Sequence, residues 1–134
     1  MRFFVLVCLL MAATSSVADV APSPFLTPEI RKECGSCHPA FPPEAMSKRQ
    51  WIAVLNGLKD HFGEDATVPR AVLLRIGETL VNHAGPDVGD PAHAGMSKGE
   101  WWRSRHKSVI GNTLYVRTGI SMDNCIACHT LTGF

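Results

Sequence analysis

Thiol and imidazole groups occur together twice in this sequence, as Cys34-Gly35-Ser36-Cys37-His38 and as Cys125-Ile126-Ala127-Cys128-His129. Cysteines three apart on a helical turn lie on one side of it. They can therefore reach the two vinyl groups on one edge of a porphyrin and close two thioether bonds. The histidine that follows can swing beneath the ring and give its iron a nitrogen ligand. Cys-x-x-Cys-His is the attachment motif of c-type haem, and its two copies take up every cysteine except Cys8. Two covalently attached c-type haems are expected, with Cys34, Cys37, Cys125 and Cys128 as anchors and His38 and His129 as proximal ligands.

Other chemistry of paired cysteines fits less well. Zinc ribbons place their Cys-x-x-Cys pairs about 15–20 residues apart, whereas residues 38–124 lie between the pairs here. A thioredoxin-like redox motif needs a neighbouring βαβ pattern, and no strand alternation is visible. Two disulfides, in any of three connectivities, leave the histidine after each pair without a purpose.

A c-type haem iron takes a sixth ligand from histidine or methionine. His61, His83, His93 and His106 remain for that role, with Met46, Met96 and Met122. His61 falls three residues after Leu58 and seven after Val54, so helical spacing places it on an apolar face. Its ordinary alternative is a core histidine bonded to a carbonyl, or one closing a helix through the dipole. Beside a haem motif, ligation is the stronger reading, because neutral imidazole is a natural axial donor. His106 follows Trp101-Trp102 in the second half of the chain and is the matching candidate there. Its alternative is a solvated basic stretch with Arg103, Arg105 and Lys107. His83 precedes a turn and His93 sits in a turn-rich segment; both read as structural or exposed. Met46 follows a proline-rich loop, Met96 ends the linker, and Met122 is too close to Cys125 to reach the opposite face of a haem.

The elements that must position these groups are helical. Thr27-Pro28 supplies a capping hydroxyl and a proline at the first helical position, opening a helix that runs to the first haem motif. Phe41-Pro42-Pro43 breaks it. Ser47 and Gln50 form a capping box ahead of a helix bearing Trp51, Val54, Leu55, Leu58, His61 and Phe62, stopped by Gly63. Pro69 opens a third helix, with Val72, Leu73, Ile76, Leu80 and Val81 inward, ending at Gly85-Pro86. Residues 85–96 are turn-rich and mark a domain boundary. Ser97 and Glu100 suggest a second capping box before a short helix with Trp101, Trp102 and His106. A brief extended piece is expected at 113–117, and a last helical turn from Ser121 carries the second motif. The fold class is therefore mainly α, with an N-terminal haem domain over 19–88 and a smaller, irregular helical one over 89–134.

Residues 1–18 read as a secretory signal peptide, with Arg2 ahead of the apolar stretch 3–13 and a small-residue cleavage site at Ser16-Val17-Ala18. The apolar run is shorter than the roughly 20 residues of a membrane span. An exported, periplasmic and soluble protein of bacterial type is expected, without stable membrane insertion. The chain has 134 residues and a formal charge of +1; losing Arg2 with the leader brings it to neutrality, and nothing in the charge suggests nucleic acid. So short a chain holds small cores, and two haems would supply much of its apolar interior, linking cofactor binding to folding.

Taken together, these residues resemble the small bacterial dihaem cytochrome c family, typified by a Rhodobacter member. The resemblance is carried by Cys34-Gly35-Ser36-Cys37-His38, Ala40-Phe41-Pro42-Pro43, Trp51 and His61-Phe62-Gly63-Glu64-Asp65-Ala66. It continues through Trp102-x-x-x-His106 and Cys125-x-x-Cys128-His129-Thr130. It implies a class-I-like N-terminal domain, a less regular C-terminal one, and two bis-histidine haems with His61 and His106 as distal ligands. It also implies electron exchange with a membrane b-type cytochrome and a small oxygen-binding monohaem cytochrome. The leading function is a soluble electron carrier rather than an enzyme, with the cluster Lys98, Arg103, Arg105 and Lys107 binding propionates or an acidic partner. The rival is a haem enzyme or small-ligand protein with one open iron, which requires a missing sixth ligand. A structural or zinc-binding module is the third class.

Overall fold

A computed structural model describes residues 23–89 and 95–129. The leader at 1–18 and His93 lie outside them. Among the described residues the chain is helical, and its only β contacts are two isolated bridges, Ser47 with Gly85 and His61 with Glu64.

Helix α1 spans Pro28–Cys34 and starts as the sequence suggests. The Thr27 hydroxyl accepts the Ile30 N–H at 3.2 Å, and Pro28 occupies the first turn. The helix ends on the first motif itself. Gly35 closes it by donating its N–H to the Arg31 carbonyl at 2.9 Å. A Cβ at that position would stand 2.2 Å from the same oxygen, so the second residue of this motif has to be glycine.

Helix α2 spans Lys48–Asn56 behind the expected capping box, with Ser47 and Gln50 exchanging bonds and both buried. It is shorter than its sequence pattern. The Gly57 N–H turns back to the carbonyls of Ala53 and Val54, and a short 3-10 segment, Leu58–Asp60, follows. Glycine weakens a helix at this point, and the Asp60 carboxylate offers the backbone another partner by accepting the Gly63 N–H at 3.1 Å. His61 and Phe62 therefore leave the helix and lie in a turn.

Helix α3, Arg70–Asn82, packs on α2 and buries Ile76 and Leu80. Together with Leu26, Ile30, Ala40 and Trp51 they make the N-terminal core. Burying side chains of this size stabilises by about 1.5–3 kcal/mol each. Trp51 also ties down the connecting loop, donating its indole N–H to the Pro43 carbonyl at 2.7 Å. Beyond α3, His83 stacks on Phe25 with ring centres 3.7 Å apart.

The second half is less regular. A 3-10 turn, Met96–Lys98, leads into helix α4, Glu100–Arg105. Its cap position is Gly99 rather than Ser97, and the Ser97 hydroxyl bonds Asp123 instead. Residues Thr113–Val116 form helix α5, not an extended piece. Cys125–Ala127 form a 3-10 turn. Among the described side chains of this half only Trp102 is a buried hydrophobic residue. A segment with so little core of its own needs another source of apolar contact.

Candidate haem sites

The first motif leaves α1 with Cys34 half-buried and Cys37 exposed. His38 is oriented by its own backbone neighbour, its Nδ1 lying 2.8 Å from the Pro39 carbonyl oxygen. A carbonyl can only accept, so Nδ1 carries the proton and Nε2 keeps its lone pair for a metal. His61 faces it from the turn after α2, ring centres 6.1 Å apart and planes 31° from parallel. Two imidazole nitrogens bound to one metal at about 2 Å each, with each nitrogen about 1 Å from its ring centre, would leave the ring centres at most about 6 Å apart. The pair is spaced for one iron between them. Burial, and secondarily the neighbouring His38, push the His61 imidazole below its usual pKa. That keeps it neutral, the form that ligates.

The second motif repeats the arrangement with different parts. The His129 N–H bonds the Cys125 carbonyl at 2.9 Å, closing the motif into a turn. His106 caps the C-terminus of α4. Its Nδ1 lies 2.9 Å from the Trp102 carbonyl oxygen, and its ring stacks on the Trp102 indole at 4.2 Å. Nε2 is again the free nitrogen. The His106 and His129 rings lie 5.9 Å apart, with planes crossed at 78°. A cavity of about 290 Å³ opens here, bordered by Trp101, Trp102, Met122 and both cysteines. Arg105 lines it as well, and lies over the Trp101 ring at 5.3 Å. Of the four cations in the expected cluster, Arg105 is the one at the cavity; Arg103 pairs with Glu100 at 3.6 Å.

The four described cysteines form no disulfide, and among the described residues no three His, Cys, Asp or Glu side chains converge as a metal centre. Burial pushes the Cys34 and Cys125 thiols up in pKa, the reverse of the lowered thiol that drives disulfide exchange. Met46 packs against the N-terminal core, while Met122 lines the second cavity. Two contributors were not singled out by spacing. Tyr115, the only tyrosine, brings its hydroxyl to 3.3 Å from the Cys128 sulfur. Phe41, which motif resemblance flags but periodicity does not, stacks on His38 at 5.2 Å.

Residues 30–132 match the family model for dihaem cytochrome c. The chain belongs to that family. It carries two covalently attached c-type haems. Two structures of the dihaem cytochrome c of Rhodobacter sphaeroides resemble it with TM-scores of 0.60, at 35% and 32% identity, each over 78% of this chain and 90% of the other. The dihaem cytochrome c of Shewanella baltica aligns with a TM-score of 0.52 and 30% identity, over 65% of each chain. No curated protein matches the chain. Among the described residues no helix is long and apolar enough to cross a membrane.

Proposed function

We propose that this dihaem cytochrome is a soluble periplasmic electron carrier, not an enzyme, with each iron held between two histidines. In the first site Cys34 and Cys37 would anchor the porphyrin, and His38 and His61 would hold its iron. In the second, Cys125 and Cys128 would anchor it, and His129 and His106 would hold the iron. The observation that carries this reading is the pair of imidazole separations, 6.1 and 5.9 Å, each matching two bonds to one metal.

Haem held in this way would supply one-electron exchange without loss or gain of a ligand. The protein's part is to keep both imidazoles of each site in place. The Pro39 and Trp102 carbonyls fix the His38 and His106 tautomers and ring directions. Packing of Trp102 on His106 holds the second distal ring. The turn after α2 holds the first. No methionine sulfur is used, so both potentials are expected below those of histidine–methionine cytochromes. Unequal pockets should separate them. A membrane b-type cytochrome and a small oxygen-binding monohaem cytochrome are the proposed partners, following the family resemblance.

Carbon monoxide added to the dithionite-reduced protein tests the reading. Slow or absent binding at both haems is expected, since entry requires a histidine to leave. Rapid binding at either haem overturns the carrier assignment in favour of an open-iron, ligand-activating protein.

A further inference from the structure

Phe41 stands where the two sites meet. Its ring is 22° from parallel with that of His38, and it packs against the N-terminal core. The same residue lines the cavity of His106 and His129, where every other lining residue is at position 101 or beyond. One side chain thus touches the proximal imidazole of the first site and the interior of the second.

The backbone that presents it is stiff. Pro42 and Pro43 follow it directly, Pro39 precedes it by two, and all three are buried. Each proline has a nearly fixed φ, and the Pro43 carbonyl is held by the buried Trp51. The backbone that carries Phe41 therefore has little freedom to move. A loop that merely linked α1 to α2 would have no need of an aromatic ring reaching into the other half of the chain.

We propose that Phe41 is a positioning residue shared by both haem sites, forming the wall through which they pack against one another. This rests on the two-haem, bis-histidine reading above. One electron passing from a reduced to an oxidised iron makes and breaks no bond, so its ease depends on how closely the two centres are packed. That placement is set by this ring.

The test uses haem-loaded Phe41→Leu protein, with Val109→Ala as the comparison because Val109 lines only the second site. Mass spectrometry first establishes two haems per chain. Proton spectra of the oxidised protein then resolve the methyl resonances of each haem. Phe41→Leu is expected to displace the resonances of both haems, and Val109→Ala those of the second alone. Should Phe41→Leu fail to fold, Phe41→Tyr carries the test, its added oxygen displacing both sets. Displacement confined to the first haem, in a protein that still holds two, overturns the shared wall and leaves the carrier reading intact. Fewer than two haems on the wild-type chain would remove both together.

Discussion

The turn that presents His61 contains a measurable strain. Phe62 has a φ of +56° and Gly63 one of +96°. His61 and Glu64 close the turn with reciprocal backbone bonds of 2.8 and 3.2 Å. For a phenylalanine the left-handed region costs about 1–2 kcal/mol. Little burial offsets it, because Phe62 is 71% exposed. What the ring does make is an edge contact on His61, with centres 5.0 Å apart at 75°, a geometry contributing about 0.5–1.5 kcal/mol. Phe62→Ala removes that contact and keeps the strain. Phe62→Gly removes both, at about 0.4–1 kcal/mol of extra unfolded-chain entropy. Setting these against each other, the glycine variant is expected to exceed the alanine variant in stability by about 0.5–1 kcal/mol. At unstrained positions the order is reversed by a similar amount. Urea unfolding of the two haem-loaded variants measures the difference directly. An alanine variant as stable as the glycine variant, or more so, refutes the strain argument. Both variants should also shift the electron paramagnetic resonance signal of the first haem, since the ring no longer steadies the His61 plane.

Two further outcomes follow from charge. Asp65 is held at a pKa of about 2, first by its bond to Lys59 and then by Thr67. A depressed carboxylate contributes stability that is present above its ordinary value near 3.8 and lost as pH falls through about 2. Asp65→Asn should therefore flatten the acid limb of a stability–pH curve between about pH 4 and pH 2, and an unchanged limb would contradict the assignment. Because the pair is exposed, added salt should shrink the effect. Arg105 is the one Lys or Arg lining the second cavity, and a nearby cation disfavours the more positive, oxidised iron. Arg105→Gln should lower the potential of the second haem and leave the first unmoved in an optical redox titration, whereas equal shifts at both would place the charge elsewhere.

How much of this was legible in the residues depended on how local each signal was. The Thr27 cap and the Ser47–Gln50 box act within one turn, and both helices start where those residues dictate. The end of α2 was not legible in the same way. Apolar spacing continues through Leu58 and His61, but Gly57 and Asp60 stop the helix first, so His61 reaches His38 on a turn instead of a helical face. Ser97 shows the opposite failure, a good cap residue drawn off by Asp123. Periodicity has least to report at residues 95–129, where among the described side chains only Trp102 is a buried apolar one. There a haem would take the place of a core, and contacts to a porphyrin follow no helical or strand period. Phe41 was hard to see for a related reason, since its two neighbours belong to opposite halves of the chain.

The central claim is that each of the two haems is held between two histidines. Low-temperature electron paramagnetic resonance of the fully oxidised protein tests it most directly. Two low-spin ferric species are expected, and they should differ. Imidazole planes 31° apart at the first site split the iron orbitals more than planes crossed at 78° at the second, so the second signal should be the more anisotropic. The matching optical spectrum should lack the far-red band of methionine-ligated iron. A high-spin signal from either haem, or that band, would contradict the account.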